Sequence, residues 1–206
     1  MEQGLKAILF DLGGVIIDLH YERTASQLAA RAGISMEEIG DLLVTSDVLQ
    51  RFEVGGMSEE EFRLEMCDIL HINLETGEFE SIWNALLGEI SCQRIDAIKE
   101  LNLKTLILSN TNSIHERAFN EILFQSHEIA TLHELVDRVY FSHEVGMRKP
   151  NAEIYEMVIA DQKMRPDEIL FIDDRADNIE AAKKLGFRVF QNMEIDNWLQ
   201  LPLINS

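Results

Sequence analysis

At 206 residues with 46% hydrophobic content, the chain is long enough to bury a full core as one domain, or as one domain carrying an insertion. Its 37 Asp and Glu against 18 Lys and Arg leave a formal charge of -19, which argues against nucleic acid or an anionic membrane as a partner. The two cysteines, Cys67 and Cys92, show neither metal-ligand nor Cys-x-x-Cys spacing, and there is no basic leader and no apolar run of about 18 residues, so the expected setting is a reducing cytoplasm.

The first predicted element is a strand over residues 6–10, a continuous apolar run of the kind buried on both faces of a parallel sheet. It ends at Asp11, and Gly13 and Gly14 follow in a tight turn whose backbone N–H groups can approach an anion. A carboxylate there can attack phosphorus; it can also be an ordinary strand-end aspartate. Asp18 and His20, just beyond, are candidate proton donors or simply solvent-facing and capping residues.

Between about residues 18 and 89 no buried strand is predicted, and amphipathic helical stretches take over. Ser58 with Glu61 forms a capping-box pattern opening a helix to about Leu70, preceded by a turn at Gly55 and Gly56. Such an insertion would hang over the strand ends as a cap, with Phe52, Glu53, His71 and Trp83 as candidate substrate contacts, although buried cap packing is the favoured expectation for the two aromatics. Its Met and Phe residues suit an internal core and an interface alike, which leaves the oligomeric state open.

Helical patterns then alternate with apolar runs: helices near residues 93–101, 113–122, 152–160 and 178–185, strands near 105–108, 139–141, 169–172 and an edge strand at 188–190, with Gly186 as a helix-terminating residue. The pattern predicts an α/β fold, a Rossmann-like parallel sheet core with helices on both faces plus an inserted all-helical cap, the core being residues 1–17 and 90–206 and the cap 18–89. In such a sheet ligands bind beyond the carboxyl ends of the strands, where the chemistry-bearing segments all fall.

Ser109, Asn110 and Thr111 end the second strand and offer hydroxyl, amide and backbone N–H donors to a phosphate, or an N-cap to the next helix. Lys149 is directed by the following Pro150, and its ammonium would offset charge between nucleophile and phosphoryl group; Arg148 either shares that role or faces solvent, the latter being the favoured expectation. Asp173 and Asp174 end another strand, and a paired carboxylate there calls for a cation. Mg²⁺ with one or two carboxylates is the simplest account, with Asp11 and Asp174 as candidate ligands and the Gly13 carbonyl as a third. Asp177 suits a metal-bound water or a helix cap.

In this order the four segments, Phe-Asp-Leu-Gly-Gly-Val, Leu-Ser-Asn-Thr-Asn, Gly-Met-Arg-Lys-Pro and Phe-Ile-Asp-Asp, resemble the haloacid dehalogenase-like hydrolase superfamily across the whole chain. They are similar in particular to a branch with bacterial sugar phosphatases acting on glucose 1-phosphate, and more distantly to the phosphatase domain of soluble epoxide hydrolase. The resemblance implies Asp11 as nucleophile, Ser109 and Asn110 on phosphate, Lys149 as the fixed cation, Asp173 and Asp174 around Mg²⁺, and a small phosphorylated metabolite as substrate. The departure is Gly13, where superfamily phosphatases usually carry a second aspartate for acid/base work. Its loss should slow hydrolysis by about 10² to 10⁴-fold, least for a leaving group that needs little protonation. Two alternatives are a 2-haloacid dehalogenase, which also lacks the second aspartate, and a non-catalytic phosphometabolite-binding regulator.

Overall fold

The computed structural model describes residues 4–204; the outermost ends of the expected core, residues 1–3 and 205–206, lie outside them. The first strand, β1 (Ala7–Phe10), is wholly buried and central, as a four-residue run of apolar side chains requires. After it come five helices without a strand: α1 (Tyr21–Ala32), α2 (Met36–Thr45), α3 (Val48–Glu53), α4 (Glu59–Ile69) and α5 (Thr76–Asn84). The chain then alternates through α6 (Cys92–Glu100), β2 (Lys104–Ser109), α7 (Ser113–His127), the short α8 (Leu132–Leu135), β3 (Arg138–Phe141), the short α9 (Ser142–Val145), α10 (Ala152–Gln162), β4 (Ile169–Asp173), α11 (Ala176–Lys184) and β5 (Arg188–Gln191).

The five strands are all parallel in the order β3-β2-β1-β4-β5. Phe10 is level with Ile107 on one side and Ile172 on the other, so β1, β2 and β4 deliver their next residues to one edge of the sheet. The chain reverses its direction of growth at β1, and that is where a crevice opens in doubly wound sheets.

Alternate strand residues feed two cores. Ile8, Phe10, Ile107 and Ile172 pack with Ile95 of α6 and Phe119 and Leu123 of α7. Leu9, Leu106, Leu108 and Phe171 pack with Ile154, Tyr155 and Val158 of α10 on the opposite face. Helices therefore cover both faces, as expected.

A third cluster belongs to α1–α5. Phe62, fully buried, stacks on Phe52 at 4.1 Å and meets Phe79 and Trp83 edge-on at 5.7 and 4.9 Å. The capping box at Ser58 and Glu61 is formed, and an equivalent one at Ser35 and Glu38 opens α2. Two chain passages join this cap to the core side by side: Asp18 N donates to Glu89 O at 3.0 Å, Gly88 N to Asp18 O at 2.8 Å and His20 N to Leu86 O at 2.7 Å.

The cap rests on α7. Ile114 joins the cap cluster, and the His115 ring lies parallel to Trp83 with centroids 5.4 Å apart. Polar contacts surround that seat: Arg117 pairs with Glu59 and, at 3.0 Å, with Glu80, while Arg148 pairs with Glu53 at 2.9 Å. Arg148 thus ties core to cap instead of facing solvent, because a half-buried carboxylate from the end of α3 stands within its reach. Gly55 has φ +69°, and a Cβ there would lie 2.4 Å from the His143 carbonyl oxygen, so this turn approaches the core backbone as only glycine allows. No helix among the described residues is long and apolar enough to cross a membrane.

Candidate active site

Asp11 extends β1 by one residue, its N–H donating to Ile172 O at 2.8 Å. The chain then folds back, with the N–H groups of Ile16 and Ile17 donating to Leu12 O at 2.8 and 2.9 Å. Gly14 has φ +73°, and a Cβ on it would lie 2.9 Å from Asp174 Oδ2. Glycine at this turn therefore lets the backbone after β1 close onto the carboxylate after β4.

Lys149 reaches into this edge almost completely buried, its Nζ 2.8 Å from Asp11 Oδ1 and 2.7 Å from Asp173 Oδ2. Its main chain is fixed by Asn110, whose Oδ1 accepts from Lys149 N and whose Nδ2 donates to Lys149 O, both at 2.9 Å. Burial pulls the lysine toward its neutral form, but the Asp11 and Asp173 carboxylates outweigh it, and the ammonium is held above its ordinary range.

Asp173 is saturated. Its Oδ1 accepts from Arg175 N at 2.8 Å and from Asn178 Nδ2 at 3.0 Å, and its Oδ2 accepts from Lys149 Nζ and from the same Asn178 amide at 3.0 Å. Asp174 is half-buried, and burial together with Asp173 raises its carboxyl. Burial likewise raises Asp11 against the pull of Lys149, with Asp173 and Asp174 adding to the rise. Carboxylate oxygens of Asp11, Asp173 and Asp174 all lie within 4.8 Å of one another. Three carboxylates against one ammonium leave an excess of negative charge that a hard, oxygen-seeking cation would neutralise.

The sequence-expected phosphate donors sit on the neighbouring strand end. Ser109 is buried as the last residue of β2, and the loop after it is braced by Ser142, whose Oγ accepts from Thr111 N and donates to Thr111 O, each at 3.0 Å. Asn112, not Ser109 or Thr111, caps α7, accepting from His115 N at 3.0 Å.

The other candidate residues take these places. Asp18 lies 2.8 Å from Arg94 Nη1, a buried guanidinium, and His20 lies beside Glu22 at 3.6 Å. Asp177 pairs with Arg175 at 2.8 Å in the first turn of α11. Phe52 is cap core, His71 is exposed, and Trp83 and Glu53 line a cavity. The space beside Gly13 is taken by Leu19, whose Cδ1 lies 2.5 Å from where a Cβ would stand.

That cavity, of about 380 Å³, runs between core and cap. Leu12, Gly13 and Ser109 to Asn112 form its floor, and α1, α2 and α5 contribute its walls. Residues that the sequence did not single out matter here: Asn178 holds both oxygens of Asp173, and Asn192 Nδ2 donates to Gly14 O at 2.9 Å. Asn192 directly follows β5, and a polar residue just past a strand's carboxyl end was the available signal.

The family model for haloacid dehalogenase-like hydrolases matches residues 5–186, and the chain belongs to that family of hydrolases. A D-ribitol-5-phosphate phosphatase of Bacteroides thetaiotaomicron is 32% identical over 199 residues, spanning 95% of this chain and 96% of its own length. Among solved structures, a family enzyme of the same bacterium in complex with magnesium and inorganic phosphate superposes with a TM-score of 0.82 at 27% identity, covering 91% of this chain and 93% of the other. A family hydrolase of Porphyromonas gingivalis reaches 0.84 at 33% identity, covering 98% and 96%.

Proposed function

We propose that this chain is a Mg²⁺-dependent phosphatase that hydrolyses a small phosphorylated metabolite through an aspartyl-phosphate on Asp11. The observation that carries the reading is the single buried ammonium of Lys149 shared between the strand-end carboxylates Asp11 and Asp173, with Asp174 alongside. In this reading residues 18–89 are the cap, and residues 1–17 and 90–206 the core.

Asp11, Asp174 and the Gly13 carbonyl would hold the Mg²⁺, and Asp173, whose oxygens are already bonded, orients Lys149. Bound there, the metal supplies neutralisation of the phosphoryl charge. The Ser109 hydroxyl, the Asn110 backbone N–H and the Lys149 ammonium cradle the phosphoryl oxygens. An Asp11 oxygen forms the new bond to phosphorus while the bond to the ester oxygen breaks, and the departing alcohol takes its proton from water, since Leu19 fills the place of a second acid. Water then cleaves the acyl phosphate and restores the Asp11 carboxylate.

The test is phosphate release from a panel that includes ribitol 5-phosphate, the substrate named for the relative, and glucose 1-phosphate, the sugar ester suggested by sequence resemblance. With Mg²⁺ the native protein releases phosphate; with EDTA it does not, and Asp11→Asn loses at least about 10⁴-fold in rate. Undiminished release by Asp11→Asn would sink the reading. A second reading, a phosphate-binding module without turnover, is favoured by the Leu19 side chain beside Gly13, and binding of phosphate without release from any ester would support it. Dehalogenation fits less well, because three clustered carboxylates repel a haloacid anion.

A further inference from the structure

From the lining of the cavity beside the phosphate loop, we infer that the organic group of the substrate is predominantly hydrocarbon, an ester whose carbon chain lies between cap and core. The inference rests on the phosphatase reading for the reaction and on the cavity for the ligand. The walls above the floor are Leu19, Ala25, Ile39, Leu43, Leu49 and Leu87, with Trp83 behind them. A polyol or sugar buried there would lose its water and find aliphatic carbon in return.

Most of the polar side chains at the wall are engaged with the protein; Trp83 Nε1, buried without a hydrogen-bond partner, is an exception and offers a ligand one donor. Thr24 Oγ1 donates to Ile82 O at 2.8 Å, His115 Nδ1 is 2.9 Å from Asn84 Oδ1, Asn112 Oδ1 accepts from His115 N, and Glu53 is paired with Arg148. Asn110 is committed to Lys149. The lining is also partly apolar at exposed positions, since Val44, 81% exposed, and the exposed Tyr21 both belong to it. A volume of about 380 Å³ lies at the small end of pockets that enclose a drug-sized ligand, which suits a medium-length or branched hydrocarbon.

Leu19 joins the two halves of the site. It lines the cavity and also closes over Gly13, so the wall that receives the carbon group begins where the ester oxygen would leave. With no acid at that point, the ester best served has a leaving group that departs with little protonation.

A series of para-alkylphenyl phosphates, from methyl to octyl, tests this while holding leaving-group chemistry constant. With Mg²⁺ and the native protein, kcat/KM is expected to rise by about two- to fourfold per methylene until the cavity is filled, following the transfer of each CH₂ from water. A flat or falling series, or a preference for ribitol 5-phosphate or glucose 1-phosphate, overturns the inference. If no ester in either set is hydrolysed, the phosphatase reading fails separately, and the affinities of the matching para-alkylphenylphosphonates decide: tighter binding with chain length upholds the hydrocarbon site, and length-independent binding overturns it. Leu43→Asn, checked for folding by its thermal transition, should flatten whichever series is read.

Discussion

The sheet edge and the cap solve opposite problems. At the edge, charged groups are buried and each holds another: Lys149 has two carboxylates, Asp173 has three separate donors, and Asn110 fixes the lysine's main chain. In the cap, the interior is aromatic and aliphatic, and its ion pairs lie outside that interior, some between cap helices, as in Arg31 with Glu78 and Arg51 with Glu65, and others against Arg117 of α7 and Arg148. The contrast separates reaction from selection. Carboxylates and hydroxyls that must keep fixed positions stand at strand ends, where hydrogen-bonded neighbours set the backbone, while most of the residues that would meet the carbon part of a ligand, among them Ala25, Ile39, Leu43 and Leu49, come from cap helices.

The sharpest way to break this contrast is Lys149→Met. It leaves Asp11 and Asp173 buried without their cation, and the expected cost is about 3–5 kcal/mol of stability in EDTA together with loss of phosphate release. Urea unfolding and phosphate release measure the two, and a variant as stable as the native protein would deny the edge its mutual dependence.

Phe62→Ala should cost a similar or slightly smaller amount, about 3–5 kcal/mol, but from packing alone. The loss should be local. Hydrogen exchange is expected to rise across residues 21–84 with β1 and β4 still protected, and phenyl phosphate turnover is expected to fall less than tenfold. Loss of protection in both regions together would mean that core and cap open as one unit.

Smaller in effect is the pair Gly13→Asp and Leu19→Ala. Gly13→Asp alone drives its Cβ into Leu19 and should lower stability by about 1–3 kcal/mol. Combined with Leu19→Ala, the new carboxyl gains room, and kcat for an alkyl ester should rise about 10²-fold over Leu19→Ala. Kinetics of all three variants complete a double-mutant cycle, and additivity would show that Leu19 does not occupy the acid's place.

The smallest effect lies where the two regions touch. Burial pushes the His115 imidazole down to about 3, whereas in the unfolded chain it titrates near 6.5. Below pH 6.5 the unfolded chain takes up a proton that the folded protein refuses, so this group lowers stability as pH falls toward 3, by about 1.4 kcal/mol per unit. Unfolding free energies from urea titrations at pH 7.5 and 5, compared between the native protein and His115→Gln, should differ by about 2 kcal/mol in their pH response. Equal responses would place the ring in water.

The strands and the residues that end them were legible because buried parallel strands are apolar without interruption and stop abruptly at polar groups, as at Asp11, Ser109 and Asp173. The expected capping box at Ser58 formed for an equally local reason. What escaped depends on approach between distant segments. That Arg148 meets Glu53, that His115 lies flat on Trp83, or that Asn110 serves the main chain of Lys149 follows from how the cap seats on α7 and how two loops meet, and no spacing within one segment encodes it. Leu19 is intermediate: six residues from Gly13, its position was decided by the pairing of Asp18 and His20 with the chain that returns from α5.

The two hydrogen bonds between Asn110 and the backbone of Lys149 also bear on timing. They weld the loop that would grip an incoming anion to the residue that would counter its charge, so neither can shift without carrying the other. Placement of the gripping loop and placement of the cation become one event, and a loop caught out of position would disarm the nucleophile's neighbour at the same moment that it releases the ligand.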